Sequence, residues 1–533
     1  MDSCESQGPD SSEEDEVAAL ALRRFGIPYL QPLQRFVVAN VLDADEGEAM
    51  RQIAILPTGF GKSLCFQLPA LLLPGPTLVI YPLLALMADQ ARRLADAGVG
   101  CAVFRGGMED AEREKAERAV EDGSAGIILT NPESLRGRLL EFLVSQKPSH
   151  VAIDEAHCVS EWGESFRPAY LELGAALEEL AAPATSAFTA TASPVVLDAV
   201  RRILFRGADC RLVQGDADRP NIRYAVRKSL CPQRDLEILV RDSPRPAIVF
   251  ASSREGVQII AEDLRRRLGS REIRFYHAGL TRDEKRAVEG WFFESGEGVL
   301  VSTCAYGMGL DKRNIRTVIH YDVPPSIEAY LQESGRAGRD GAEASAVLLV
   351  GPDADALIAR ERDSGRRGRG QALLEAVFSS GHCRREALLS LLGVDLSSPC
   401  SGCDVCEGTA NDEPDGLQTL ELFARANPRR YSPGEAVNLL LGTCGEPPAC
   451  AGSGSLGHWR EEDLRFALRA AMRRGRIRIA EKGPWKGRLS PAKRRNEGRT
   501  EGGYSSTSIA GASGAARFLR SIFRGGGSEM RAR

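Results

Sequence analysis

The segment Leu56–Ser63, Leu-Pro-Thr-Gly-Phe-Gly-Lys-Ser, has the glycines, the lysine and the hydroxyl that a phosphate-binding loop needs. A strand running into this segment and a helix from about Leu64 would let backbone N–H groups surround a polyphosphate. Lys62 would place positive charge at the outer phosphates, and Ser63 would offer a hydroxyl to Mg²⁺. The residues predicted to bind a nucleotide here are Thr58, Gly59, Gly61, Lys62 and Ser63.

A pair of carboxylates, Asp154 and Glu155, follows the apolar run 151–153, so we expect the pair at the carboxyl end of a strand. Asp154 is predicted to hold Mg²⁺ through water. Glu155 is predicted to orient and deprotonate the attacking water as a general base. Together with the phosphate-binding loop, this pair predicts hydrolysis of a nucleoside triphosphate.

A third polar group stands much farther along the chain, where Gln332, Arg336 and Arg339 are spaced by small residues. In a protein of two lobes, these side chains would face the γ-phosphate from the second lobe. Arg339 is predicted to stabilise the charge of the transferred phosphoryl group, a contribution of about 10³–10⁵ in rate in such enzymes. Gln332 is predicted to sense the nucleotide, and Arg336 completes the predicted catalytic set.

Four cysteines, Cys383, Cys400, Cys403 and Cys406, follow these motifs. Four thiolates predict a closed, structural zinc site, because no coordination position is left for chemistry. His382 is an alternative ligand to Cys383, although the spacing favours the cysteine. The alternative interpretation of the quartet is a set of reduced free thiols.

These residues must be positioned by buried strands, and short apolar runs alternate with longer charged segments in two successive parts of the chain. That alternation predicts two α/β lobes, each a parallel sheet covered by helices on both faces. Helices are predicted after residue 353, and a small strand hairpin is predicted around 476–479. The predicted strands are 77–80, 126–129 and 150–153 in the first lobe, and 247–250, 298–301 and 317–320 in the second.

The chain has 533 residues, 13 cysteines and a formal net charge of −4. Its length allows three or four compact units. The net charge does not mark a nucleic-acid-binding protein, but arginines are concentrated between residues 465 and 533. No apolar run reaches the roughly 20 residues of a membrane-spanning helix, and the irregular cysteine spacing predicts reduced thiols. We therefore expect a cytoplasmic protein with no membrane partner.

In their order and spacing, these motifs resemble those of the RecQ family of superfamily 2 DNA helicases, over about Leu22–Ala480. Phe25-Gly26 and Gln34 are similar to the family's motif that reads adenine. Thr189-Ala190-Thr191 is similar to the motif that couples hydrolysis to lobe movement. The stretch 303–312 is similar to a second-lobe motif, and the resemblance implies that Gly309 and Asp311 bind the nucleotide.

Residues 158–168 resemble the family's aromatic-rich loop, which senses single-stranded DNA and triggers hydrolysis. Trp162, Phe166 and Arg167 are the DNA contacts that this resemblance implies. Stacking of bases on aromatic rings suits a motor that must ignore base identity.

The resemblance implies an α/β fold of two tandem RecA-like parallel-sheet lobes, followed by a helical zinc-binding subdomain and a winged helix. The form is short, without the family's C-terminal accessory helical domain. The expected domains are a disordered acidic leader (1–17), the first lobe (18–207), the second lobe (208–345), the zinc-binding subdomain (346–410), the winged helix (411–489) and a flexible basic tail (490–533).

The chain departs from the family pattern at one nucleotide contact, and the resemblance also implies phosphate contacts near its C-terminal end. Leu30-Gln31-Pro32 stands where the family usually carries Phe-Arg-Pro, so one nucleotide contact is expected to be missing. Near the winged helix, Arg469, Arg473 and Arg476 are expected to meet DNA phosphates without reading sequence.

The activity implied is that of an ATP-dependent helicase that moves 3′ to 5′ on single-stranded DNA and unwinds duplexes in repair and recombination. ATP, Mg²⁺ and Zn²⁺ would be its cofactors. Single-stranded and duplex DNA and a single-strand DNA-binding protein would be its partners, and the helicase would act as a monomer associated with a bacterial nucleoid. Two alternatives stay open: an RNA-directed helicase on the same core, and a non-catalytic DNA-binding or strand-annealing protein that has kept the fold.

Overall fold

The computed structural model describes residues 15–44, 49–162, 168–304, 312–378, 381–444 and 450–492. Within them the chain forms two parallel sheets, a group of helices near four clustered cysteines, and a unit of three helices with a strand hairpin. No helix in these ranges is long and apolar enough to cross a bilayer.

The first lobe contains a sheet of seven strands within the described residues. They are β1 (Met50–Ile55), β2 (Thr77–Ile80), β3 (Cys101–Val103), β4 (Ile127–Thr130), β5 (His150–Ile153), β6 (Ala184–Thr189) and β7 (Arg211–Gln214). Their spatial order is β3-β4-β2-β5-β6-β1-β7, and neighbouring strands are parallel. β2, β4 and β5 are buried along their whole length because helices cover both faces. The predicted strands 77–80 and 150–153 are confirmed, and the one at 126–129 is shifted by one residue.

Helices alternate with these strands. They are α1 (Glu16–Phe25), α2 (Pro32–Leu42), α3 (Leu64–Gln67), α4 (Leu84–Asp96), α5 (Asp110–Glu121), α6 (Arg138–Ser145), α7 (Cys158–Trp162), α8 (Ala169–Leu180) and α9 (Pro194–Leu204). A 3₁₀ turn over Pro69–Leu71 follows α3. The helix predicted from Leu64 therefore exists but is short, because Pro69 lacks the N–H that continuation of the α-helix would use.

The second lobe contains a parallel sheet of six strands in the described part of the chain. Its strands are β8 (Ile222–Lys228), β9 (Ala247–Phe250), β10 (Ile273–Tyr276), β11 (Val299–Ser302), β12 (Thr317–His320) and β13 (Ala344–Val350), in the spatial order β10-β11-β9-β12-β13-β8. Its helices are α10 (Pro232–Asp242), α11 (Arg254–Leu268), α12 (Arg282–Glu294) and α13 (Ile327–Ser334). The predicted strands 247–250 and 317–320 are confirmed, and the third begins one residue later than predicted. Two parallel-sheet lobes are thus present as expected.

The structure moves three predicted boundaries. β7 pairs with β1, so residues 211–214 belong to the first sheet and not to the second lobe. β13 continues to Val350, past the predicted end of the second lobe at 345. In both places strand pairing satisfies backbone groups that would otherwise be unpaired. The predicted leader also ends earlier, because Asp15 caps α1 by accepting a hydrogen bond from the Ala18 N–H.

Three helices follow the second sheet in the described residues: α14 (Ala354–Ala359), α15 (Ser364–Phe378) and α16 (Arg384–Leu391). The loop around Cys403 then lies along β8, an edge strand of the second sheet. The Tyr224 N–H donates to the Gly402 carbonyl (3.4 Å), and the Asp404 N–H donates to the Tyr224 carbonyl (3.0 Å). The loop thereby covers backbone groups that an open edge strand would expose.

The last described unit consists of α17 (Leu417–Ala426), α18 (Pro433–Leu441), α19 (Glu461–Arg473) and an antiparallel hairpin of β14 (Ile477–Ile479) and β15 (Leu489–Pro491). It shares one apolar core with Leu230 and Cys231 of the second lobe. The Arg234 guanidinium lies 3.9 Å from the centroid of the Trp459 ring and 2.8 Å from the Asp415 carboxylate. The unit is therefore packed on the second lobe, and the predicted hairpin is confirmed.

Candidate nucleotide site and cysteine cluster

Three predicted segments meet at the carboxyl ends of neighbouring strands of the first sheet. The phosphate-binding loop follows β1, residues 189–191 lie at the end of β6, and Asp154 follows β5. β6 lies between β1 and β5. Since parallel strands all end at one edge, segments far apart in sequence form a single crevice there. Lys62 is close enough to Asp154 to stabilise the charge of its carboxylate.

Two glycines shape the phosphate-binding loop. Gly59 and Gly61 adopt φ angles of +86° and +85°, which residues with side chains rarely adopt. A Cβ at Gly61 would lie 2.8 Å from Gln34 Nε2. That nitrogen donates to the Phe60 carbonyl (2.7 Å), while Gln34 Oε1 accepts from the Gln31 N–H (2.8 Å). Gln34 is thus held against the loop, and its adenine-reading role stays a prediction.

The carboxyl group of Asp154 ionises less readily than that of an exposed aspartate. Burial raises its pKa to about 7, and the neighbouring Glu155 carboxylate adds to the rise. Lys62 and the Glu155 N–H, which donates to Asp154 Oδ1 at 2.9 Å, lower the pKa. A cation in the site would favour the ionised form. The Asp154 carboxylate and the Ser63 hydroxyl are oxygen donors of the kind that Mg²⁺ prefers, so these residues fit the predicted ion.

The turn after β5 is tied to the end of β6. Glu155 adopts an uncommon φ of +49°. His157 Nδ1 hydrogen-bonds the Thr189 hydroxyl (3.0 Å) and lies 3.4 Å from the Glu155 carboxylate. Because the Thr189 hydroxyl donates its proton to the Thr191 carbonyl (2.9 Å), Nδ1 must be the donor in its bond to Thr189. The proposed general base and residues 189–191 therefore form one connected group.

The second lobe brings its predicted residues to α13 and to the loop that follows it. Gln332 lies half-buried on α13, Arg336 is buried and Arg339 is half-buried. Glu328 on the same helix is 1% exposed, and its Oε1 accepts from the Ser193 N–H at 3.0 Å. Ser193 is the N-cap residue that precedes α9 of the first lobe. This contact places α13 against the first lobe, directly after residues 189–191.

Two residues that local sequence patterns did not mark hold the loop after α13. Arg219 and Asn221 precede β8 and donate to backbone carbonyls between residues 335 and 342. Their partners lie 116–121 positions away in the chain. Glu328 also bonds to a residue far away in the chain, because Ser193 lies 135 positions from it. No local pattern predicts contacts of that separation.

The four predicted zinc ligands come together. The Sγ atoms of Cys383, Cys400, Cys403 and Cys406 all lie within 4.8 Å of one another, and those of Cys383 and Cys403 are 4.0 Å apart. Four sulfurs around a tetrahedral zinc at about 2.3 Å would be about 3.8 Å apart, so a small contraction would suit the ion. His382 is exposed and does not belong to the group, which favours Cys383 as the ligand.

Backbone donors favour the thiolate of Cys403. Burial raises the pKa of this thiol, but hydrogen bonds from the N–H groups of Cys406, Arg384 and Val405 outweigh burial and lower the pKa to about 7. Hydrogen bonding with the sulfurs of Cys403 and Cys383 raises the pKa of Cys406. The sulfur of Cys403 is therefore the one in the cluster whose thiolate form, which binds cations, is favoured by its surroundings.

Phe166, Arg167, Gly309 and Asp311 lie outside the described residues. Trp162 is the last residue of α7, and its backbone alone is described. The DNA-binding roles of Trp162, Phe166 and Arg167, and the nucleotide-binding roles of the other two, stay predictions.

Two arginines that were expected to meet DNA phosphates are paired with carboxylates. Arg473 lies 3.0 Å from the Asp353 carboxylate at the end of the second lobe. Arg476 lies 2.8 Å from the Glu413 carboxylate and also pairs with Glu421. These exposed ion pairs would compete with a DNA phosphate for both arginines, and the DNA contacts of Arg473 and Arg476 stay a prediction. The C-terminal end of α19 faces the second lobe.

Comparison with known proteins defines the class. Residues 31–199 match the DEAD/DEAH box helicase family, and residues 233–341 match the helicase conserved C-terminal domain family. The solved structure of the DUF1998 helicase MrfA bound to DNA is similar, with a TM-score of 0.53 and 17% identity over 92% of this chain and 64% of that one. The similarity shows a shared fold. Fold and site together define a protein with a two-lobed helicase core.

Curated relatives narrow the class. The ATP-dependent DNA helicase RecQ of Bacillus subtilis (strain 168) is 32% identical over 73% of this chain and 67% of the relative. The RecQ of Pasteurella multocida (strain Pm70) is 36% identical over 66% of this chain and only 57% of the relative. A putative ATP-dependent RNA helicase, R290 of Acanthamoeba polyphaga mimivirus, is 30% identical over 79% of each chain. The chain belongs to the RecQ family.

Proposed function

We propose that the protein is an ATP-dependent DNA helicase that hydrolyses ATP between its two lobes to move along single-stranded DNA and separate duplexes. The observation that carries the proposal is the contact of Glu328 with Ser193 (3.0 Å). It holds the helix bearing Gln332 against the first lobe, beside the strand ends that carry Lys62 and Asp154. A nucleotide bound in that crevice would contact residues of both lobes.

We assign the chemical roles as follows. Lys62 neutralises charge on the outer phosphates, and Ser63 and Asp154 hold Mg²⁺, which when bound neutralises charge on the phosphate oxygens. Glu155 takes a proton from the attacking water, and His157 donates to Thr189 beside it. Arg339 stabilises the charge that develops on the transferred phosphoryl group.

We propose movement 3′ to 5′ on the strand, with Trp162 and Phe166 stacking on bases and Arg167 meeting the backbone. Closure of the lobes on Mg-ATP would advance the strand and hydrolysis would release it. The role would lie in repair and recombination, in the cytoplasm at the nucleoid, as a monomer working beside a single-strand DNA-binding protein. The resemblance to the RecQ family supports this part. Unwinding of duplexes with a 3′ or a 5′ single-stranded overhang tests the direction, since only the former should be separated.

We propose that the cysteine cluster binds one zinc ion as a structural site. The convergence of four sulfurs within 4.8 Å supports this assignment. Four cysteine ligands leave no open position, so the ion would hold the loop along β8 rather than take part in hydrolysis. Metal analysis of the purified protein should give one zinc per chain, and Cys406→Ser should lower that content.

We propose that the unit from α17 to β15 is a winged helix that docks duplex DNA. The turn between β14 and β15 presents Trp485, whose side chain is 47% exposed, with Lys482 and Lys486 exposed beside it. The Arg429 guanidinium lies 5.0 Å from the centroid of the Trp485 ring. An exposed aromatic ring among cations is suited to stacking on a base beside phosphates.

An RNA-directed helicase is the second candidate, and the name of the mimivirus relative R290 favours it. The cysteine cluster and the three-helix unit with its hairpin favour DNA instead. The third candidate, a non-catalytic DNA-binding or annealing protein, is disfavoured by the complete set of Lys62, Asp154, Glu155 and Arg339.

Phosphate release in the presence of single-stranded DNA or RNA of the same length and sequence separates the three candidates. Stimulation by DNA above that by RNA supports the proposal. Greater stimulation by RNA supports an RNA-directed enzyme. Binding of DNA with no hydrolysis in either case supports a non-catalytic protein.

A further inference from the structure

The loop that carries Arg339 is held by its backbone carbonyls. Arg219 Nη1 donates to the Gly335 carbonyl (3.1 Å), and Nη2 donates to the carbonyls of Ala337 (3.2 Å) and Gly338 (3.1 Å). One planar guanidinium thus spans most of the loop. A lysine ammonium at this position could not reproduce that fork, because its donors radiate from a single nitrogen.

Asn221 also holds this loop. Its Nδ2 donates to the Gly338 carbonyl (2.8 Å) and to the Ala342 carbonyl (2.9 Å). Gly338 has a φ of +55°, and a Cβ there would lie 2.4 Å from Asn221 Nδ2. The backbone therefore packs directly against the amide, and the loop has little freedom to shift towards β8.

The segment that bears Arg219 is itself fixed by Arg385. This arginine is 1% exposed and forms an ion pair with Asp218. It also donates to the carbonyls of Arg219 (3.0 Å) and Ile222. Buried hydrogen bonds to a charged group are strong and costly to lose, so the position of Arg219 depends on Arg385.

Arg385 belongs to the cysteine side of the molecule, because it lies two residues after Cys383 in α16. The intervening residue, Arg384, lies 3.0 Å from the carboxylate of Asp404, which follows Cys403. The other oxygen of Asp404 accepts from the Val226 N–H of β8 (2.9 Å). The first turn of α16 thus joins the cysteine cluster to β8 and to the segment that holds the Arg339 loop.

Arg219 and Arg339 repel each other, because both guanidinium groups are positively charged. Burial lowers the pKa of Arg219, and the positive charge of Arg339 lowers it further.

We propose that Arg219 is a positioning residue for hydrolysis: it fixes the backbone of the loop so that Arg339 is presented to the nucleotide, and Arg385 joins its position to the cysteine cluster. The inference rests on the proposed ATPase activity. Because Arg219 would act through the loop carbonyls to which it donates, its loss should change turnover without changing affinity.

The test compares Arg219→Lys and Asn221→Asp with the unsubstituted protein, at saturating single-stranded DNA. We expect kcat to fall about 10- to 100-fold, a part of the effect of an arginine finger. KM for ATP and Kd for single-stranded DNA should stay within about twofold. Arg223→Lys is the matched control, because this arginine of β8 is paired with Glu407 and is 49% exposed. Its kcat should be unchanged.

The double variant Arg219→Lys with Arg339→Ala gives a second readout. If Arg219 acts through Arg339, the double variant should be no slower than Arg339→Ala alone. Arg385→Lys should also lower kcat, with the zinc content unchanged.

Three results would overturn the inference. They are losses that multiply in the double variant, a normal kcat in both Arg219→Lys and Asn221→Asp, and parallel changes in kcat, KM and melting temperature, which would indicate a general structural role. If the unsubstituted protein hydrolyses no ATP with DNA, the proposed function itself is wrong.

Discussion

The two lobes hold their parts of the candidate site by different means. In the first lobe, Asp154 directly follows β5, and Lys62 lies in the loop between β1 and α3. In the second lobe, Arg339 lies on a loop after α13 whose carbonyls are held by side chains 116–121 positions earlier in the chain. The first arrangement depends mainly on neighbouring elements, with side-chain contacts to the loop and to Thr189 from only 26 and 32 positions away. The second depends on distant side chains, and through Arg385 on the cysteine cluster.

Arg339→Ala should have the largest effect, because it removes the charge that stabilises the transition state. We expect kcat with single-stranded DNA to fall by about 10³-fold or more. Binding of a fluorescent, non-hydrolysable ATP analogue should be nearly unchanged, since the phosphate-binding loop is intact. Arg266→Ala, which removes an exposed arginine paired with Asp263 on α11 of the same lobe, is the control. Loss of analogue binding in Arg339→Ala would contradict the division between the lobes.

Lys62→Ala should affect the part of the site that the first lobe contributes. Without the lysine charge at the outer phosphates, we expect both analogue binding and turnover to fall, with kcat/KM lower by about 10²–10³. Binding of single-stranded DNA in the absence of nucleotide should be retained, as measured by fluorescence anisotropy. Turnover at the normal rate would refute the assignment of the phosphate-binding loop.

Glu328→Ala should show whether the contact between the lobes matters. The carboxylate is buried and accepts from the Ser193 N–H, and loss of a hydrogen bond to a charged group costs about 1.5–3 kcal/mol. If the contact contributes to closure, DNA-stimulated kcat should fall about tenfold or more, and Glu328→Gln should retain part of the activity because an amide oxygen can still accept. Glu297→Ala, at an exposed position of the same lobe, should have no effect. An equal loss in both variants at 328 would show that charge, and not the hydrogen bond, is what matters.

The smallest effect concerns acid stability of the first lobe. Burial lowers the pKa of His150 to about 3, and its ring nitrogen bonds to the Ser186 hydroxyl (2.9 Å). The unfolded chain takes up a proton near the ordinary pKa of about 6.5 while the folded chain does not, so stability falls as the pH falls between these values. We expect a loss of about 1.4 kcal/mol per pH unit from this group.

Urea unfolding of the first lobe at several pH values checks this expectation. The His150→Asn variant should take up one proton fewer on unfolding. Its free energy of unfolding should therefore fall less steeply as the pH falls. An unchanged slope in that variant would show that other groups are responsible.

Much of the fold followed from the sequence because its strands are short and almost wholly apolar. The runs 77–80 and 150–153 needed no tertiary information to be assigned, since a fully buried parallel strand has no polar face. β7 and the end of β13 were misplaced because their assignment depends on which neighbour they pair with. The pattern of 211–214, mostly exposed, gave no sign of that pairing.

The same contrast applies to the charged residues near the C-terminal unit. Arg473 and Arg476 looked available for phosphates in the sequence, because a run of arginines does not show where carboxylates lie in space. The structure places Asp353 and Glu413 beside them. Intramolecular pairing is a tertiary property.

The sequence by itself determined the candidate chemistry: Lys62, Asp154, Glu155 and the four cysteines belong to short motifs, and the spacing of each motif is a local property of the chain. Only the tertiary structure decided how the second lobe presents Arg339, because Arg219, Asn221 and Glu328 act on backbone groups more than a hundred positions away. Carbonyls and N–H groups carry no residue identity, so a contact to them leaves no trace in the sequence of the segment that is held.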